Sequence, residues 1–88
     1  MVDVNWEKAI DMGIPELTVS ALERYINDRI PTGGFLDAVL RNDLFGAISR
    51  ADEFNSRSLP EIVKFIYNNL PGNSWGDSER IKSWLNGE

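Results

Sequence analysis

Between Phe35 and Ile48 the chain carries its densest apolar run, and the spacing of that run limits the folds open to it. Phe35, Leu36, Val39 and Leu40 recur at helical intervals, and Leu44, Phe45 and Ile48 carry the same face onward. Asp37, Arg41, Asn42, Arg50 and Asp52 fall largely outside that face. A face this apolar needs cover from several sides. The run reads as a central hairpin or kinked helix on which the other helices pack. A break is expected near Asn42, because one straight helix would spread its apolar face too far around the axis. Asn42 is of a type that caps a new helix over 43–50, and Asp43 is a cap candidate in its own right.

The flanking segments read as helices too. Residues 1–4 are expected to fray. Asn5 suits the N-cap of a helix from Trp6 to Met12, closed by Gly13, with Trp6 and Ile10 turned to the core. Pro15 fits the first position of a second helix, whose stripe is Leu17, Ala21, Leu22, Tyr25 and Ile26. Ser20 to Glu23 matches a capping box and offers a later start. The earlier start is preferred because Leu17 extends the stripe. Pro31 keeps Ile30 out of the helix, and Gly33-Gly34 make residues 30–34 a tight connector.

Asp52 to Ser58 is polar and reads as a connector with room for a helical turn. Ser58-Leu59-Pro60-Glu61 then carries the start signal of a helix with Ile62, Val63, Ile66, Tyr67 and Leu70 on its apolar face. Pro71-Gly72 ends it, and Asp77 caps a last helix over 78–86 with Ile81, Trp84 and Leu85 inward. No strand pattern of period two occurs. The fold expected is all-α: a compact bundle of five or six short helices forming a single domain over residues 1–88.

Composition bounds the chemistry. The chain has no histidine and no cysteine, which removes the commonest general base, the commonest nitrogen ligand for metals, and any thiolate or disulfide. Lys8, Lys64 and Lys82 stand singly at positions expected to face solvent. Asp37, Asp43, Asp52 and Glu53 are the only carboxylates grouped closely enough to suggest acid–base work or a hard cation. They lack the spacing of a calcium loop, and Asp43, Asp52 and Asp77 read better as helix caps. No catalytic residue, cofactor or metal site is expected. The net charge of −5 argues against direct nucleic-acid binding, which rests on neutralising phosphates. A helix-turn-helix around residues 31–34 fails because its second helix would begin Phe35-Leu36-Asp37-Ala38, apolar and acidic where base-reading arginine or asparagine is needed. The acidity suits a self-repelling surface first and a basic protein partner second. A membrane-spanning stretch and a signal peptide are not expected.

The tryptophans divide between core and loop. Trp75 lies in a loop, where a tryptophan plugs the core edge or anchors an interface, whereas Trp6 and Trp84 are expected in the core. Tyr25-Ile26, Ile30-Pro31, Gly34-Phe35-Leu36, Ala38-Val39-Leu40, Asn42-Asp43-Leu44, Ala47, Arg50-Ala51-Asp52 and Asn55 resemble one family in their order and spacing. Ile62-Val63, Tyr67-Asn68, Pro71, Trp75-Gly76 and Trp84 continue the likeness. That family comprises small proteins of unassigned activity encoded by tailed bacteriophages and prophages. The likeness spans about residues 15–86. It departs at Asp77, where serine is common after Trp-Gly; either residue caps a helix.

What the resemblance implies is a setting, the accessory genes of phages, many of which encode inhibitors of host or defence proteins. The expectation is therefore a non-enzymatic, protein-binding module that modulates or inhibits such a protein in the host cytoplasm. Its contact residues are expected in and beside the loops: Thr32, Asn42, Asp43, Asn68, Trp75 and Gly76. A structural or assembly role, or a homo-oligomer closed by the aromatics, is the alternative.

Overall fold

The computed structural model describes residues 3–88. Met1 and Val2, half of the expected frayed end, lie outside the described residues. Val4 is half-buried and packs against the core, so order begins earlier than expected. Six α-helices follow: α1 (Trp6–Asp11), α2 (Glu16–Asp28), α3 (Gly34–Leu40), α4 (Leu44–Arg50), α5 (Glu53–Asn69) and α6 (Ser78–Leu85). A single 3₁₀ turn, Gly72–Ser74, joins α5 to α6.

Most boundaries are set by local chemistry. Asn5, Asp43, Asp52 and Asp77 each cap a helix with a side-chain oxygen that accepts a hydrogen bond from the backbone N–H three residues on. α1 closes in a Schellman arrangement with Gly13 left-handed at φ 88°, as Ile14 N–H reaches back to Ala9 O. α3 closes in the same way around Asn42, with φ 66°. Asn42 N–H donates to Val39 O, and Asp43 N–H donates to Ala38 O at 2.8 Å. Asn42 is thus the stop of α3 rather than the cap of α4, and Asp43 is that cap, its Oδ1 3.0 Å from Gly46 N. A Cβ at Gly46 would meet the Asp43 carboxylate and the Arg50 guanidinium, so any larger residue there must displace the capping side chain.

The start of α5 departs from expectation. Asp52 to Ser58 is not a connector, and Pro60 lies inside the helix. A proline there forgoes one backbone hydrogen bond and crowds the carbonyl four residues back, a penalty of about 3 kcal/mol. Three contacts offset it. Asp52 Oδ1 accepts from Asn55 N at 2.8 Å. Thr18, buried on α2, donates to Asn55 Oδ1 at 2.6 Å. Arg57 pairs with Glu53 one turn away. Ser56, whose carbonyl loses its helical donor, is exposed.

The core runs through α1, α2, α3, α5 and α6. Leu22, Tyr25, Ile26, Ile62, Phe65, Ile66 and Trp84 are buried, and Trp6 packs its ring against Phe65 at 5.8 Å. Trp84 is in the core as expected, while Trp6 is half-buried. Several expected core positions are not. Leu17 is 85% exposed, because α2 buries Thr18 and Val19 instead. Ile10 is exposed and Ala9 takes its place. On α5 the buried arc turns to include Phe65, which leaves Val63 and Tyr67 outside. Most consequentially, the run from Phe35 to Ile48 divides at the elbow. Leu36 and Leu40 of α3 are buried, whereas Leu44, Phe45 and Ile48 of α4 are exposed.

Candidate functional site

Of these three, Leu44 borders a hollow of about 260 Å³ between α4, α5 and the loop before α6. Its floor is Leu40, Ala47 and Ile66, all buried. Its walls are Val39, Leu59 and Trp75, each half-buried. The rim is Leu44 on one side and Val63 and Tyr67 on the other. Leu59, Val63 and Tyr67 stand four residues apart and form one ridge of α5, and Leu44 and Ile48 do the same on α4. Two such ridges with a gap between them form a seat for an apolar side chain or a third helix.

The elbow holds the hollow open. Because α3 stops at Leu40, Leu40 O has no helical donor and accepts from Gly76 N–H at 2.6 Å. That bond fixes the Trp75-Gly76 loop against the end of α3. Gly76 sits at φ 122°, which a side chain tolerates poorly. Trp75 then packs against Tyr67 at 5.7 Å, and its indole N–H points to Leu70 O at 3.5 Å. Two polar side chains line the hollow, Asn42 and Asp43. The Asp43 carboxylate is occupied by Gly46 N–H and by Arg41, whose guanidinium also pairs with Asp37 at 3.0 Å. Asp43→Ala should therefore act on stability. Loss of a cap costs about 1 kcal/mol, and a thermal melt should fall by roughly 4–8 °C for a domain of this size.

Of the expected contact residues, Asn42, Asp43 and Trp75 meet at this hollow, and Gly76 supports it from behind. Thr32 is half-buried in the α2–α3 connector and Asn68 is on the exposed side of α5; neither lines it. Asn68 and Asn69 donate to the carbonyls of Lys64 and Phe65 on their own helix, at 2.9 and 3.0 Å. The residues that sequence reasoning assigned to the core, Leu44, Val63 and Tyr67, form the rim. A signal for them existed. Ile62, Val63, Phe65, Ile66, Tyr67 and Leu70 cover a wider arc of α5 than one neighbouring layer can bury.

Tyr25 donates its phenol to Ser74 O at 2.7 Å. Burial, reinforced by the Asp37 carboxylate and opposed by Arg29, pushes its pKa up from 10.0 to about 12. Among the described residues no three or more carboxylates cluster to hold a metal ion, and no helix is long and apolar enough to cross a membrane. Comparison of the chain with models of protein families, with curated proteins and with solved structures finds no match.

Proposed function

We propose that the protein works by docking another protein rather than by chemistry of its own. The apolar hollow with its exposed rim carries this reading. At about 260 Å³ it falls short of the roughly 300–1,000 Å³ usual for small-molecule sites. A cofactor site also needs convergent free polar groups, and here the one carboxylate is already occupied. An amphipathic rim of leucine, valine and tyrosine beside a tryptophan is the make-up of a protein interface. The absence of histidine and cysteine from the sequence leans the same way. The phage-like pattern supplies the setting: the partner is a host or defence protein of the bacterial cytoplasm, which the chain modulates or inhibits. A role in phage assembly is the second reading, favoured by further apolar exposure away from the hollow at Leu17 and Phe54.

A tagged wild-type protein should retain a specific partner from bacterial lysate. Tyr67→Ala and Leu44→Ala should each weaken that capture by at least about 30-fold, the loss expected for an interface hot spot. Both side chains are more than half exposed, so the fold should persist. Leu17→Ala, equally apolar but outside the hollow, should retain the partner. If both rim variants hold it as tightly as wild type, the docking reading is wrong.

A further inference from the structure

We propose that in the free protein this hollow is covered by a second copy of the chain, in a two-fold dimer that seats Phe45 of each copy in the hollow of the other. The inference rests on the hollow being a docking surface and adds what closes it before a partner arrives.

Three observations converge. The first is shape. Phe45 is 84% exposed and follows directly on Leu44, which lines the hollow. A knob beside its own socket is self-complementary, and a two-fold axis satisfies both copies at once. A cavity of roughly 150 Å³ already accepts a benzene ring, so a hollow of about 260 Å³ has room for the phenyl group.

The second is area. Leu44, Phe45, Ile48, Val63 and Tyr67 are 56, 84, 53, 46 and 68% exposed. With about 150–250 Å² for each aromatic, this face offers on the order of 500 Å² of apolar surface per copy. A dimer would bury roughly 1,000 Å² in all, the lower bound for a specific interface. The association should therefore be reversible and concentration-dependent, which leaves the hollow open to a competing partner.

The third is charge. Residues 3–28 hold six carboxylates against Lys8 and Arg24, so they carry nearly all of the net −5. Residues 41–67, which span α4 and most of α5, hold four acidic and four basic side chains. No residue of α1 or α2 lines the hollow. Two copies can meet across a neutral face while their acidic helices stay apart.

The test is solution mass across the micromolar to millimolar range, by sedimentation equilibrium. Wild type should rise from 10.0 kDa toward twice that value. Phe45→Glu and, independently, Ile48→Lys should stay at the monomer mass with unchanged helical circular dichroism, whereas Leu17→Glu should dimerise like wild type. A wild-type monomer at the highest concentration overturns the proposal. So does a dimer that survives both α4 variants, or one lost on Leu17→Glu. A strict monomer whose lysate partner still depends on Tyr67 removes self-coverage and leaves the docking reading intact. A Phe45-dependent dimer without a Tyr67-dependent partner does the reverse.

Discussion

Trp84→Ala is expected to lower the unfolding free energy by about 4 kcal/mol, the cost of emptying a large buried aromatic site. A chain of 88 residues has a total stability of about 4–13 kcal/mol, so the variant should be marginal or unfolded at ambient temperature. Trp84 is 4% exposed and joins three parts of the chain. Its ring packs near Tyr25 at 6.4 Å. Its indole N–H donates to Tyr25 O at 2.9 Å. That carbonyl depends on the indole, because α2 ends with Arg29 left-handed and Arg29 N–H turns to Arg24 O instead. Removing the indole orphans a buried acceptor, which alone costs about 1–3 kcal/mol.

Arg29 adds a further link. Its guanidinium lies 3.6 Å from the centre of the Trp84 ring and donates to Trp84 O at 2.5 Å. A left-handed non-glycine residue is unfavourable by roughly 1–2 kcal/mol, and these contacts are what hold it there. Trp84→Phe should recover most of the packing but not the hydrogen bond, and so fall between wild type and alanine. Urea unfolding followed by circular dichroism gives the ordering. A loss below about 1.5 kcal/mol for alanine would mean that the core around α6 collapses to fill the site.

How far the chain can be read without its structure depends on the range of each interaction. The caps at Asn5, Asp43, Asp52 and Asp77 act over three residues, and each is recognisable from its neighbours. The α3–α4 break follows from local spacing and from the tolerance of Asn42 for left-handed backbone. The start of α5 was hidden because Ser58 and Pro60 imitate a helix N-terminus. The contact that favours the earlier start comes from Thr18, 37 residues away in sequence.

Leu17, Phe45 and Tyr67 expose a second limit. Periodicity reveals that a helix has an apolar face, but not whether a neighbour is present to cover it. α2 and α5 each carry apolar residues over more than one layer's width, and the surplus is what emerges at the surface. The site was therefore half legible. Its turn residues Asn42, Asp43 and Trp75 stand out by type, while its rim was indistinguishable from core until the neighbouring helices were placed. Arg29 over Trp84 had no signal at all, since 55 residues separate them.

Tyr25 gives the second large effect, read through pH. Its phenol is almost fully buried at 1% exposure, and its pKa in the native state is pushed from 10.0 to about 12 by burial first and by Asp37 second. Below pH 10 both native and unfolded chains hold the proton, and this group contributes no pH dependence. Between 10 and 12 the unfolded chain releases it while the native chain keeps it, so rising pH favours unfolding. The slope is about 1.4 kcal/mol per pH unit, and the accumulated loss reaches roughly 2–3 kcal/mol near pH 12. Other groups titrate in the same window, so the variant Tyr25→Phe isolates the contribution. It should be less stable than wild type at neutral pH by about 1 kcal/mol, because Ser74 O loses its donor. Toward pH 12 its stability should fall less steeply, and the two proteins should converge or cross. Parallel curves for the two would place the phenol in contact with water and would remove the hydrogen bond to Ser74 as a cause of the fold's closure at this end.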